Sequence, residues 1–268
     1  MATFYSLAKS LTNTKLAVAG LFLLLITGVA GAEDPKQLFT ARAEKEFFRT
    51  QAQYQAASDN SSNAWNFARA CFDLGELATN KTQRADLARR GIAACRQLVA
   101  REPKSAPAHY YLAMNCGELA DAEAPSLAAY KLVHEIEREF KTAAELDDKF
   151  DYAGPVRNLG QLYFQAPGWP LSVGNKRKAR EWLERAAALA PDYPENLLNL
   201  AEAQLKWRQT DDAEKTLQKL DALWPVAQTN LNGAAWEPSW AEWRGRRLAT
   251  RPEADRLTPE KKPAAPRP

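Results

Sequence analysis

The side chains that most often carry catalysis or bind metals are few in this sequence of 268 residues. It has two histidines, His109 and His134. Neither has a second histidine or a cysteine at the spacing of a metal-binding pair, so no metal site is expected. His109 instead falls at a packing position of a predicted helix, where a ring is ordinary.

The serines and carboxylates show no pattern typical of an active site. No serine lies in a nucleophile-elbow sequence, and no glycine-rich loop follows a predicted strand. The acidic residues stand three or four positions from basic ones, as Glu181 does from Arg185, which is typical of a solvated helix face. We therefore predict that the protein is not an enzyme and has no cofactor.

The cysteines Cys71, Cys95 and Cys116 are too few for a disulfide framework. In an exported protein one pair could form and leave one free thiol. Alternatively, all three are small buried side chains on helices. The sequence leaves both alternatives open.

The predicted helices, which would have to hold any functional site, recur along the chain with a period of 34 residues. Steps of four, three and five residues separate the members of two sets: Ala179, Leu183, Ala186 and Pro191, and then Ala213, Leu217, Leu220 and Pro225. A partner helix carries Leu159, Gly160 and Tyr163. This pattern resembles the tetratricopeptide repeat (TPR), a helix–turn–helix unit in which small residues let paired helices approach and proline ends the second helix. The resemblance implies an all-α, TPR-like α-solenoid of about four helix pairs with N- and C-terminal capping helices.

Composition and periodicity divide the chain into eight predicted segments. The predicted segments are a signal peptide (1–32), an N-terminal capping helix (33–61), helix pairs over 62–105, 106–150, 151–193 and 194–227, a C-terminal capping helix (228–249) and a disordered tail rich in proline and lysine (250–268). Trp240 and Trp243 form a stripe that predicts packing contacts of the last helix, with ligand binding as the alternative.

The N-terminal segment has the features of a cleavable secretory signal. Lys9 and Lys15 precede a short apolar run that ends in small residues at 30–32. A permanent membrane anchor is the alternative, but glycine and threonine interrupt the run. We expect an exported, periplasmic protein without stable membrane insertion after cleavage. Cleavage removes two lysines and no acid, which lowers the formal charge from +3 to +1; a charge so near zero argues against nucleic-acid binding.

Recognition of a partner remains as the expected function. The first helices of stacked TPR pairs line a concave side. The side chains predicted there are Tyr110, Tyr111, Arg157, Asn158, Gln161, Asn199 and Glu202. Phenols, amides and a guanidinium suit a peptide or a small acid, and an ordinary solvated surface is the alternative.

The stretch "FQAPGWPLSVGNK", residues 164–176, interrupts the third pair with two prolines, two glycines and Trp169. We expect an ordered loop, because Pro167 and Pro170 restrict the chain. Trp169 either plugs the end of the third repeat or forms a lid at a binding site. The plug is favoured, since large apolar side chains in loops usually bury.

Residues 131–203 also resemble the T-component of TRAP-type transporters. The shared features are an acidic turn at Asp147 and Asp148, Gly154 before a first helix, and the proline-rich break. The resemblance implies an exported helical protein that associates with a periplasmic solute-binding protein. Two hypotheses result: a non-enzymatic scaffold for a protein or peptide partner, and an accessory ligand-binding component of a solute transporter. A buried apolar channel near Tyr111, Arg157 and Trp169 would favour the second.

Overall fold

The computed structural model describes residues 35–251, which are helical apart from short connections. They divide into two compact units, one ending at Leu189 and one beginning at Ala190. The first unit contains α1 (Pro35–Ala56), α2 (Ser61–Glu76), α3 (Lys81–Arg101), α4 (Ala106–Glu123), α5 (Leu127–Leu146), α6 (Phe150–Gln165) and α7 (Lys176–Leu189). The second contains α8 (Pro194–Lys206), α9 (Thr210–Asn230) and α10 (Glu237–Ala249).

The predicted signal peptide lies outside the described residues, and so do residues 252–268 of the predicted tail. Within residues 35–251, none of the helices has the length and apolar content that crossing a membrane requires.

Side-chain caps explain where several helices begin. A backbone N–H of the first turn is bonded by the side chain of Asn60 before α2, Asn80 before α3 and Ser126 before α5. Asn175 does the same for α7, accepting from the N–H of Lys178 at 3.0 Å. Such caps satisfy donors that have no partner inside the helix.

Consecutive helices of the first unit pack against each other, from α1 on α2 through to α6 on α7. α1 covers α2 with Phe47, whose ring lies 5.7 Å from that of Phe67. The small residues of the repeat allow the close approach that was expected. Ala179 and Ala186 are fully buried, and a Cβ placed on Gly160 would lie 2.7 Å from Leu183 Cδ2.

In the second unit, α10 packs on α8. Trp240 and Trp243 are buried, and Trp243 lies edge-on to Tyr193 with ring centroids 5.2 Å apart. The indole N–H of Trp240 donates to the Leu231 carbonyl at 2.6 Å. The packing contacts expected from the tryptophan stripe are present, but the helix begins at Glu237 and not at residue 228 as predicted. A capping role for it stays a prediction.

One predicted helix end was wrong. Pro225 was expected to end the second helix of the last pair, but α9 continues to Asn230. Proline removes one N–H donor and crowds the carbonyl of the preceding turn. Packing of both neighbouring faces offsets this cost here, because Trp224 and Ala227 are both buried.

The three cysteines are free and buried on helices. The alternative of small buried side chains therefore describes them, and no disulfide links them. Burial raises the pKa of Cys71 to about 12, so this thiol is kept in its unreactive protonated form.

Candidate interaction surface

A buried polar network joins α4 to the start of α6. The Tyr110 hydroxyl donates to Asp151 Oδ2 at 2.8 Å and lies 3.2 Å from the donating amide of Asn158. Arg157, only 1% exposed, places its guanidinium 3.6 Å from the same carboxylate. Burying a charged side chain is costly unless it is paired, and the nearby carboxylate pairs this guanidinium.

Arg157 also supports an unusual turn at the start of α6. Asp151, Tyr152 and Ala153 have φ angles of 50°, 56° and 62°, which side chains with a Cβ rarely adopt. Arg157 Nη1 donates to the Asp151 carbonyl at 3.3 Å and to the Tyr152 carbonyl at 3.0 Å. Consecutive strained residues persist only where surrounding contacts hold them, and such sites are often functional.

Aromatic rings lie over this network. Trp65 of α2 stacks on Tyr111 of α4, with ring centroids 5.9 Å apart and ring planes 4° from parallel. Phe150 lies edge-on to Tyr110 at 5.4 Å and to Tyr111 at 6.2 Å. We call Trp65, Tyr110, Tyr111 and Phe150 the aromatic face. Burial, followed by the nearby Asp151 carboxylate, raises the pKa of both tyrosines well above the usual range, so both remain neutral.

The aromatic face has an accessible edge. Trp65 and Phe150 are half-buried. Tyr152, from the left-handed turn, is 42% exposed. Arg69, one turn along α2 from Trp65, is exposed and pairs with Asp73 at 3.5 Å. A tryptophan, a tyrosine and an arginine with partial exposure are the residue types enriched among the energetically dominant contacts of protein interfaces.

The expectation of an open surface made by the predicted site residues was wrong for most of them. Tyr110, Tyr111, Arg157, Asn158, Gln161 and Asn199 are all buried. Their polar atoms face other side chains; Gln161, for example, accepts from Gln165 at 2.8 Å. Periodicity identified the helix face correctly, but it could not show that bulky neighbours fill that face. A binding role for these residues stays a prediction.

In the second unit, Arg246 of α10 covers the corresponding face of α8. Its guanidinium donates to Asn199 Oδ1, and to Glu202 at 2.9 and 2.8 Å. Glu242 lies 3.2 Å from the same guanidinium, and burial raises the pKa of this carboxyl. Asn199 and Glu202 were predicted to bind a partner; in the structure they hold the C-terminal helix. The sequence pattern offered no signal for Arg246.

Trp169 is 88% exposed. The expectation that it plugs the third repeat was therefore wrong. Tyr111 and Arg157 are buried while Trp169 is not, so these three residues do not form the buried apolar channel that would have favoured the transporter hypothesis.

His109 is a structural residue in this arrangement. Its Nδ1 lies 2.5 Å from Glu139 Oε2, and its Nε2 lies 2.9 Å from the Pro103 carbonyl oxygen. Across residues 35–251, no group of histidine, cysteine and acidic side chains could hold a metal ion.

Comparison with known proteins supports a repeat architecture. Residues 33–154 match the family model of Regulator of microtubule dynamics protein 1-3, and residues 171–223 match a tetratricopeptide repeat model. No curated protein matches the chain. The T-component resemblance of residues 131–203 is not shown by these matches and stays a prediction.

Two solved structures are similar to this chain. The crystal structure of a thermophilic TPR protein in Thermus thermophilus is 18% identical; the match covers 81% of this chain and 94% of that chain, with a TM-score of 0.55. The crystal structure of MamA protein is 15% identical, with 75% and 97% covered and a TM-score of 0.43. The all-α helix pairs, the TPR model over residues 171–223 and the first of these structures agree, and the chain has the fold of an all-α, TPR-like solenoid.

Proposed function

We propose that this protein is a non-enzymatic, exported scaffold that binds a protein or peptide partner through the aromatic face of its first unit. The observation that carries the proposal is the stacked pair Trp65 and Tyr111, which lies beside the exposed Arg69. TPR repeats generally mediate contacts between proteins, and this face lies on the first helices of its pairs.

The network beneath the face supports the proposal in a second way. Arg157 holds the backbone of Asp151 and Tyr152, so Tyr152 is presented from a fixed turn and not from a mobile one. A fixed side chain loses little conformational entropy when a partner binds. Arg157→Ala is consequently a poor test of binding, because it would leave Asp151 buried without its cation and destabilise the fold.

The test uses Arg69→Ala in the full chain. Arg69 is exposed, so its loss should leave the melting temperature nearly unchanged. We expect affinity capture from the native host, read by mass spectrometry, to recover a partner with the wild type and to lose most of it with R69A. Lys219→Ala, at an exposed position of α9, is the matched control. Equal recovery with all three proteins would argue against the aromatic face.

Export has an independent test. If the signal peptide is cleaved after Ala32, the protein isolated from its host begins at Glu33. N-terminal sequencing or intact-mass measurement reads this directly. A mature protein that still begins at Met1 would remove export from the proposal and leave the scaffold function in place.

A further inference from the structure

A second feature of the first unit lies outside the aromatic face. An apolar crevice opens between the α4–α5 connection and the loop that joins α6 to α7. Its lining includes Ala124, Ala129, Val133 and Ala166, and its volume is about 370 Å³ when space open to solvent is counted. Because this volume includes open solvent, the crevice is a surface feature that suits an apolar side chain of a partner more than a large enclosed ligand.

Large apolar side chains that are close in sequence to the crevice lining are exposed. Leu127 follows the lining residue Ser126, and Leu171 precedes the lining residue Ser172. Leu127 is 72% exposed, Leu171 is 71% exposed and Trp169 is 88% exposed. Single exposed apolar residues are ordinary, but several beside one apolar crevice mark an interaction site.

The loop that carries Trp169 is closed by its own backbone. The Gly174 N–H donates to the Pro167 carbonyl at 2.9 Å, and the Asn175 N–H donates to the Tyr163 carbonyl at 2.9 Å. A Cβ on Gly174 would lie 2.0 Å from the Ala166 carbonyl oxygen, so only glycine permits this closure. The exposed indole is thus held by an ordered segment, which lowers the entropy cost of using it in binding.

The two segments that form the crevice are rich in basic residues. Residues 124–134 and 164–180 contain five lysines and arginines, and the acidic residues nearest in sequence are Glu123, Glu135 and Glu181, directly outside the two segments. Lys131 and Arg177 are exposed, and Arg177 lies 3.7 Å from Glu181. A partner at this crevice therefore meets more basic than acidic side chains around an apolar centre.

We propose that this crevice is a second docking surface, which binds a protein segment carrying an apolar side chain next to acidic residues. The apolar side chain enters the crevice and packs against Trp169, while the acidic residues meet Lys131 and Arg177. A bilayer is the less suitable occupant, because a flat surface does not fill a crevice between two loops. The proposal does not depend on the aromatic face, since it uses different residues.

The test selects peptides from a random display library on the full-length protein. We expect enriched peptides to combine aspartate or glutamate with leucine or an aromatic residue. Synthetic copies should bind the wild type, and Trp169→Ser should weaken binding by about tenfold or more. Lys131→Glu with Arg177→Glu should weaken it further and reduce its dependence on salt. Matched controls are Lys219→Glu, for charge, and Arg69→Ala, for the aromatic face; both should bind the peptides normally.

Three results would overturn the inference. They are an absence of enriched peptides, enrichment of peptides without acidic residues, and peptides whose binding survives both Trp169→Ser and Leu171→Ser. Peptides whose binding is lost with Arg69→Ala but not with Trp169→Ser would support binding at the aromatic face and overturn the proposal for the crevice. Binding of phosphatidylglycerol vesicles that depends on Trp169, in a protein that selects no peptide, would assign the surface to lipid. An unchanged circular dichroism spectrum of W169S shows that the variant is folded.

Discussion

His109 lies between two oxygen acceptors, the Glu139 carboxylate and the Pro103 carbonyl. A carbonyl can only accept, so both ring nitrogens donate when the imidazole is protonated. Burial lowers the pKa of His109, but the hydrogen bonds to Glu139 and Pro103 outweigh it and raise the pKa above its usual value. The pKa of Glu139 is lowered: burial raises it, but bonds from His109 and Arg138 outweigh that effect.

This pair predicts a specific dependence of stability on pH. A raised histidine pKa stabilises the fold below about pH 6.5, and this contribution is lost as the pH rises through the folded pKa. We expect the difference in unfolding free energy between wild type and His109→Gln to shrink from about pH 6 to about pH 9. Chemical unfolding at several pH values measures it. His134→Gln, at an exposed position, is the control. A difference that stays constant with pH would show that folding does not raise the pKa of His109.

At the scale of the helix, the contact between α6 and α7 depends on Gly160. Its hydrogen faces Leu183 of α7, and an added Cβ would lie 2.7 Å from Leu183 Cδ2 and 3.0 Å from the Leu183 backbone nitrogen. The side chain can rotate, but the backbone cannot move without separating the two helices. Glycine is thus required at position 160 by the packing of α6 on α7, and not by the conformation of α6 itself.

Gly160→Ala should therefore lower stability, although alanine is the better helix former by about 1 kcal/mol. We expect a net loss of about 1–3 kcal/mol, as for other overpacked cores. Gly245→Ala is the matched control, because Gly245 lies within α10 with open space around its Cβ position. The melting temperature should fall for G160A and stay equal or rise for G245A. If the two variants behave alike, the close contact between α6 and α7 is wrong.

The helix pairs were predictable because the signal is local and repeated: small residues and apolar residues recur with one period, and proline recurs at the end of the pattern. The contacts of the C-terminal helix α10 were harder to predict from the sequence. Arg246 meets Glu202 and Asn199 from 44 and 47 residues away, and nothing in its sequence context distinguishes it from Arg247. The exposure of Trp169 was also missed, because composition alone does not show it.

For the whole molecule, the free cysteines give a simple measure of integrity. Cys71, Cys95 and Cys116 are fully buried, and burial raises the pKa of each thiol. A thiol reagent at neutral pH should therefore label none of the three in the folded protein and all three after unfolding. Titration with a chromogenic disulfide reagent measures this. Fewer than three thiols in the unfolded, unreduced protein would show that two are linked by a disulfide in the native compartment.

The aromatic face and the crevice draw on separate parts of the first unit, one on first helices and one on connecting loops. Arg69→Ala should therefore weaken only the partner of the aromatic face, and Trp169→Ser only the peptides of the crevice. One partner that is lost with both variants would mean that it contacts both surfaces.

The closure of the 164–176 loop has a consequence for how such a protein can change its specificity. Hydrogen bonds between Gly174 and Pro167, and between Asn175 and Tyr163, close the base of the loop, and Trp169 and Leu171 beyond that closure are exposed. Substitution of these two side chains should therefore alter what is recognised while the helical framework keeps its stability, much as antibody loops vary on a constant scaffold.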